Sequence, residues 1–450
     1  MKNTSHLVKS FKTNLADIPE ADTFWIAYSG GLDSTVLLHL LHDRKDEFNA
    51  QIKVVHINHG LNKNADAWAD HTASVCHNLN LPYLSIVLNL EKEPGLSLEE
   101  LARFHRYKVL SELMQSSDVL FTAHHQDDQV ETFLLQLLRG AGPEGLAGMA
   151  VLMKFHHGWL ARPLLNATRE QVIEYATENS LVWIEDESNV NQKFDRNYIR
   201  HNVIPVLAGR WPSLNKTITR VAAHQAECAS FLNEIAREDL KKLVQNEQDS
   251  LDINSLNTLD FPRKKNVLRY WIRENGYPVP GSEITKKIIT ELIAARIDAQ
   301  PCIRWAKVEL RRYRNRIYLM EQFKKHDLDR KISWNLKEKL FLDNGFLTAE
   351  TCKSKGINKD LVKDDQVEIR YRKGGEKIRL PAKQHSQKLK KLFQEAGIPP
   401  WHRENIPLIY IDDNLVSVAG LWVDARFHAG KGDNGWYISF HPGQDTGPER

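Results

Sequence analysis

Between Thr23 and Val130, short apolar runs rich in β-branched and aromatic residues alternate with longer segments of helical periodicity. The runs are Phe24 to Tyr28, Lys53 to Ile57, Tyr83 to Leu88 and Val119 to Ala123; the periodic segments lie near Ser34 to His42, Ala65 to Leu79 and Leu98 to Met114. Short continuous apolar runs suit strands covered on both faces, and the intervening helices supply the cover. The pattern therefore predicts an α/β region with a doubly wound, mainly parallel sheet. In such sheets ligands bind beyond the carboxyl ends of the strands. Ser29, His59 and His124 follow three of the runs closely.

Residues 213–322 read as a mostly helical domain, with amphipathic segments at Val221 to Val244 and Ile284 to Ala295. It closes on a β-like stretch carrying Arg304, Lys307, Arg311, Arg312, Arg314 and Arg316. The polar stretch 323–345 reads as a linker, and 346–450 as a small α+β domain with short strands such as Glu368 to Tyr371 and Leu408 to Ile411. With the sheet domain at 1–212, this division suits a chain of 450 residues, longer than one core usually organises.

Lys and Arg number 61 against 58 Asp and Glu, so any basic surface must be local. One such strip runs from Glu368 to Arg403, with ten Lys or Arg against three Glu. Tyr371, Phe393 and Trp401 interleave with it and can pack or stack, so the strip suits RNA phosphates, with a solvated charged face as the plainer alternative. Cys76, Cys228, Cys302 and Cys352 stand far apart, which argues against a zinc ribbon or a dithiol redox site and fits a reducing compartment. The first twenty residues contain no uninterrupted apolar stretch, and no later segment approaches the roughly 20 apolar residues of a membrane span. A cytosolic location is expected, with no membrane partner.

The first candidate site is Ser29-Gly30-Gly31-Leu32-Asp33-Ser34, at the end of an apolar run and the start of a helix. Two glycines let the backbone turn tightly, while helix-start amides and serine hydroxyls can surround a phosphate. Asp33 can hold a magnesium ion that neutralises phosphate charge. The spacing is neither that of a Walker loop nor of a dinucleotide fingerprint. A glycine turn capped by Ser or Asp is the plainer reading. Gly140-x-Gly142-x-x-Gly145 matches the dinucleotide expression in letters, but it follows a predicted helix and reads as a loop bordering the site.

The second site is His124-His125-Gln126-Asp127-Asp128-Gln129-Val130-Glu131-Thr132. With a helix starting near Asp127, Glu131 lies one turn from Asp127 and Asp128, so three carboxylates can converge near a helix start. They can bind a metal, take a proton from an amine or hold a cationic substrate. Capping by Asp127 would explain one of them, and a hydrolase-type metal site would not need the phosphate loop. His56-x-x-His59-Gly60-Leu61 flanks the cluster, with His56 equally readable as a structural histidine. A helix opened by the capping box Ser97-x-x-Glu100 carries Arg103, Arg106 and Tyr107. Arg106 falls on its apolar stripe and so requires an anionic partner.

The strand-end Ser-Gly-Gly-x-Asp-Ser resembles the PP-loop ATP pyrophosphatases, a Rossmann-like group. The ordered set of motifs resembles the tRNA(Ile)-lysidine synthetases over nearly the whole chain. The other segments are His56 to Leu61, Ala102 to Tyr107, Thr122 to Thr132, Arg139 to Met149, Arg162 to Leu165, and Asp186-x-Ser188-Asn189 continuing through Arg196 to Arg200. Near the end come Arg372-x-Gly374-Gly375-Glu376, Leu389 to Phe393, Ile398 to Trp401 and Val418 to Asp424. Asn62 and His105 depart from the family pattern.

The resemblance implies that ATP adenylates the C2 oxygen of the first anticodon cytidine of a CAU-bearing isoleucine tRNA, and that the side-chain amine of L-lysine then displaces AMP. It implies ATP contacts by Ser29, Gly30, Gly31, Leu32, Asp33 and Ser34, with Mg2+ on Asp33. Catalytic roles would fall to Asp33, Arg103, Arg106, His124, Asp127, Asp128 and Glu131, and tRNA contacts to Arg196, Arg200, Arg372, Lys390, Lys391 and Arg403. A homodimer is compatible with the sequence, which leaves oligomeric state open. A PP-loop tRNA sulfur transferase and a non-enzymatic RNA-binding relative are the competing readings.

Overall fold

The computed structural model describes residues 2–60, 64–88, 98–185, 194–244, 249–296, 299–322, 327–362 and 367–443. Leu61 and Asn62, Ser97 of the capping box and the motif Asp186 to Asn189 lie outside the described residues. The chain divides into two compact units, Met1–Glu238 and Asp239–Arg450.

In the first unit, strands β1 (Thr23–Ala27), β2 (Gln51–Asn58), β3 (Tyr83–Val87), β4 (Val119–Phe121), β5 (Leu152–Phe155) and β6 (Gly158–Ala161) form one sheet in the order β3-β2-β1-β4-β6-β5. All are parallel except β5, which pairs antiparallel with β6. The helices are α1 (Lys2–Ala16), α2 (Leu32–His42), α3 (Ala65–Asn78), α4 (Leu98–Leu113), α5 (Gln126–Leu138), α6 (Pro143–Leu146) and α7 (Arg169–Glu178).

Side chains alternate across β1, so its residues enter two cores. Phe24 and Ile26 join Leu7 and Phe11 of α1, Val36 and Leu40 of α2, Cys76 of α3 and Val172 of α7. Trp25 and Ala27 pack instead with Leu110 and Met114 at the α4 side. Phe24 meets Phe121 edge-on at 4.9 Å, and burying a ring of this kind contributes about 1.5–3 kcal/mol. The chain thus adds β2 and β3 on one side of β1 before crossing to β4 on the other. The connections leaving β1 and β4 diverge, and the crevice between them is where an open α/β sheet binds its ligand.

The second unit begins with a four-stranded antiparallel sheet, β7 (Ser250–Asp252), β10 (Arg316–Glu321), β9 (Val308–Tyr313) and β8 (Cys302–Trp305), in that order. Helical residues Leu268, Trp271 and Leu292 pack into its core with Leu310 and Ile317. The arginines of the β-like stretch mostly serve this fold. Arg304 and Arg311 converge on buried Glu309, while buried Arg312 donates to the carbonyls of Ile293 and Ala295, both at 2.6 Å. Those carbonyls lie at a helix end, where acceptors would otherwise go unmet.

Further on, five antiparallel strands run in the order Ile332–Ser333, Val367–Arg370, Leu408–Ile411, Asn414–Val418 and Trp422–Val423. Four more are Leu340–Leu342, Gly345–Lys353, Asn434–Pro442 and Ile357–Asn358. The stretch expected as a linker contributes to these sheets, and Trp334 and Leu336 are buried in their core. Its high charge hides two apolar anchors too short to register as periodicity. Among the described residues no helix is long and apolar enough to cross a membrane.

Candidate active site

Gly30 makes the turn out of β1 possible. Its φ is +84°, and a Cβ there would stand 2.6 Å from Ile184 Cδ1 and 2.9 Å from Thr72 Cγ2, so both backbone and space demand glycine. The Ile184 amide donates to the Gly30 carbonyl at 2.8 Å, holding a later segment against the turn. The Ser29 and Ser34 hydroxyl oxygens lie 3.0 Å apart; Ser34 Oγ donates to the Gly31 carbonyl at 3.0 Å, and Ser29 Oγ accepts from the Gly31 amide at 3.3 Å. Gly31 caps α2 without a side-chain bond. Helix geometry leaves the amides of Leu32, Asp33 and Ser34 without intrahelical acceptors, at the electropositive helix end. This is a cradle for an anion.

Asp33 Oδ1 is buried with no hydrogen-bond partner, while Oδ2 lies 3.6 Å from His125 Nε2. A bare carboxylate oxygen beside a phosphate cradle suits Mg2+, which takes one or two carboxylates together with substrate phosphates.

His125, the residue before α5, is the hub of the second cluster. Its Nε2 also lies 3.5 Å from Asp128 Oδ2, its backbone amide donates to Asp128 Oδ2 at 3.0 Å, and its Nδ1 accepts from the Asp127 amide at 3.2 Å. Burial opposes a charge on this ring, yet Asp128 and Asp33 outweigh it and push its pKa up to about 9. A second proton must displace the Asp127 amide from Nδ1 and leave that buried donor unsatisfied, which costs about 1–3 kcal/mol and offsets part of the rise. In either state Nε2 carries a proton toward Asp33 and Asp128. The ring therefore links the phosphate loop to α5.

Because this pKa rises on folding, its stabilisation is full below the ordinary histidine value of 6.5 and fades as pH climbs through about 9. Thermal unfolding of the protein should accordingly show a loss of stability from pH 6.5 to 9 that His125→Gln flattens. An unchanged slope in that variant would show that the imidazolium contributes nothing.

Helix α8 (Asp195–Tyr198) passes through a π-helical turn, Ile199–Val203, into α9 (Ile204–Arg210). Arg196 and Arg200 share one helix face and grip α5. Arg196 donates to Glu131 Oε2 at 2.7 Å and Asp128 Oδ1 at 2.9 Å; Arg200 donates to Glu131 Oε1 at 2.5 Å and Oε2 at 3.0 Å. Glu131 is 0% exposed, so this pairing is charge-assisted and dry. Burial disfavours the Asp128 charge, but His125 and Arg196 hold its pKa down to about 2.

Asp127 differs. It lies half-buried at the start of α5 and accepts from Asn215 Nδ2 at 3.2 Å, at the beginning of α10 (Leu214–Leu243). Burial raises its pKa despite the nearby His125 charge.

His124 hydrogen-bonds Thr122 through Nδ1 at 3.0 Å. Burial holds its pKa down to about 3 against the pull of Asp128, with Arg162, Arg196 and Arg103 adding to the depression. It is a neutral imidazole at ordinary pH. His56 is buried and donates from Nδ1 to the Tyr28 carbonyl at 2.9 Å, tying β2 to the end of β1. His59 is also kept neutral, at about 4, by burial and by Arg106. Arg106 is half-buried, and its guanidinium lies 5.6 Å from the Tyr107 ring; exposed Arg103 lies 5.0 Å from the same ring.

Gln129, Arg162 and His125 carry more of the site than the residue pattern indicated. Gln129 Oε1 accepts from the Met149 amide at 2.7 Å and Nε2 donates to its carbonyl at 3.1 Å, fastening the glycine-rich loop to α5. Gly148 has a φ of +65°, and its missing Cβ would stand 2.7 Å from the Gln129 amide. Buried Arg162 donates to the Ala150 carbonyl at 2.8 Å. The His-x-x-Asp spacing of His125 and Asp128 at a helix start was the available clue to the hub.

In the basic strip, Tyr371, Phe393 and Trp401 are buried and therefore pack rather than offer stacking faces. Arg403 is buried too, donating to the Ile398 carbonyl at 2.7 Å and the Tyr313 hydroxyl at 3.3 Å, and Arg372 Nε lies 3.3 Å from Glu376 Oε2. Lys390 and Lys391 remain exposed.

A PP-loop domain model matches residues 3–207, a TilS substrate binding domain model 251–318, and a TilS substrate C-terminal domain model 367–440. A tRNA(Ile)-lysidine synthase of Coxiella burnetii is 40% identical over 421 residues, covering 93% of each chain. One from Legionella pneumophila is 39% identical over 415 residues, 92% of this chain and 94% of that one. Among solved structures, a U34-tRNA thiolase, NcsA, from Methanococcus maripaludis superimposes with a TM-score of 0.43 at 16% identity, covering 50% of this chain and 80% of that one.

Proposed function

The chain belongs to the tRNA(Ile)-lysidine synthase family, and from that premise we infer that it is an ATP-consuming ligase that modifies a tRNA base. The reaction makes lysidine in a CAU-bearing isoleucine tRNA. The cytidine C2 oxygen attacks the α-phosphate of ATP and pyrophosphate leaves; the lysine side-chain amine then attacks C2 and AMP leaves. The observation that carries this reading is the meeting of the phosphate loop and the α5 cluster at the switch point of the sheet, joined through His125.

The loop 29–34 binds the phosphates of ATP, and Asp33 holds Mg2+, a role supported by its partnerless buried oxygen. The ion would neutralise phosphate charge. Asp127 accepts the proton from the lysine ammonium. Its raised pKa supports this role, as does the capture of Asp128 and Glu131 by Arg196 and Arg200. Those two arginines are better supported as positioning residues than as tRNA contacts. His124, neutral and among arginines, is suited to hydrogen-bond the leaving phosphate. Residues 1–212 form the ATP-binding catalytic domain and 213–322 the substrate domain; the tRNA-binding C-terminal domain takes in 346–450 together with the strands Ile332–Ser333 and Leu340–Leu342 before it, and its exposed Lys390 and Lys391 are the best remaining phosphate contacts.

A sulfur transferase of the same loop class would need a reactive thiolate. Cys76 is buried in the apolar core, which pushes its pKa up to about 12, the reverse of what a nucleophilic thiol requires.

The test is stoichiometry: AMP should form in step with modified tRNA and only when lysine is present, while without lysine pyrophosphate release should stop after a single turnover. Steady AMP release without lysine would contradict the second step. Asp127→Asn should slow single-turnover lysine transfer by roughly 10²- to 10⁴-fold, the usual range for a general base, while pyrophosphate release persists. Transfer at the unchanged rate would remove Asp127 from that role.

A further inference from the structure

On the outer side of α4, toward the tip of the β5–β6 hairpin, lies an open depression of about 540 Å³, lined by Arg103, Phe104, Tyr107, Lys108, Ser111 and His156. Phe104 is 63% exposed, the Arg103 and Lys108 side chains also face solvent, and His156 is exposed at the hairpin tip. An exposed phenylalanine flanked by cations matches how proteins hold unpaired nucleotides, with bases on aromatic faces and phosphates near Lys and Arg. One acidic group is close, since Glu112 lies 4.0 Å from Lys108. The Arg103 end of the depression is the nearer to the reacting centre, because α4 joins the parallel strands β3 and β4 and so begins at the carboxyl ends of the sheet.

The proposed reaction rests on bringing one base out of its stack, which leaves the neighbouring nucleotides unstacked and in need of support. We propose that this depression receives an unpaired anticodon-loop nucleotide next to the target cytidine, its base stacked on Phe104 and its phosphate held by Arg103 and Lys108. The inference deepens the assigned function by giving the RNA loop a second contact outside the ATP cradle.

Binding tests it without requiring turnover. Full-length protein is titrated with unmodified CAU-anticodon tRNA, and a second tRNA carrying 4-thiouridine in the anticodon is photo-crosslinked and mapped. Phe104→Ala should weaken tRNA binding on the order of tenfold, the scale of one stacked base, and Phe104→Trp should restore it. Lys108→Ala should reduce the salt dependence by about one phosphate contact. The crosslink should fall in peptide 98–113. Because Phe104 is so exposed, its replacement leaves the core intact. Unchanged tRNA affinity in Phe104→Ala, or a loss that tryptophan does not restore, overturns the proposal. So does a defect confined to the KM for lysine, which would assign the depression to the amino acid. Failure of the wild-type protein to form lysidine, with the Phe104 effect on tRNA affinity intact, would overturn the reaction and leave this surface standing.

Discussion

Glu131→Gln should cost the first unit about 3 kcal/mol of stability, because it removes the charge that two guanidinium groups share in a dry site. Arg196 and Arg200 both donate to this carboxylate, and Glu131 is fully buried. For a unit of this size, that loss lowers Tm by roughly 6–12 °C. Differential scanning calorimetry of the full chain would read it as a shift in the transition of unit one. Activity should fall as well, because the arginines orient Asp128, and Asp128 orients His125. A Tm within about 1 °C of wild type, below what even a small loss would produce, would mean that the clamp contributes little to the fold.

The second large effect is expected at Asp33, and it should fall mainly on chemistry. Asp33→Asn keeps the shape but removes one of the two carboxylate charges that face the His125 ring, so stability should fall as well, by about 1 kcal/mol. Removing the charge from the phosphate site should slow pyrophosphate release by roughly 10²- to 10³-fold, comparable to losing one preorganised transition-state contact. Rapid-quench measurement with ATP and tRNA, lysine omitted, isolates this step. Release at a rate close to that of wild type would remove Asp33 from the phosphate site.

Much of this was legible in the sequence because the relevant signals are local. The apolar runs located β1 to β4 to within a few residues: β1 and β4, largely buried, are apolar nearly throughout, while the edge strand β3 showed itself by its β-branched and aromatic residues despite its exposure. Ser29 to Ser34 declared itself because a tight turn, a helix start and a carboxylate fit within six residues. What stayed hidden depends on partners distant in the chain. The carboxylates of the α5 cluster looked alike, and only the helix carrying Arg196 and Arg200 separates captured Asp128 and Glu131 from Asp127. The charged strip from Glu368 to Arg403 likewise gave no sign that Arg403 turns inward to Tyr313. Trp334 and Leu336 were lost within a polar stretch because two buried side chains make no periodic pattern.

The proposed division of labour puts Asp33 at the phosphates and Asp127 at the amine, with His125 between their two segments. All of it presupposes that the amine is lysine and the acceptor is an RNA base. The most direct measurement is incubation with ATP, Mg2+, radiolabelled lysine and CAU-anticodon isoleucine tRNA, followed by nuclease digestion. Label should appear in one modified cytidine of the anticodon, formed in proportion to AMP. Label absent from RNA while AMP accumulates, or transfer of labelled cysteine sulfur in place of lysine, would contradict it.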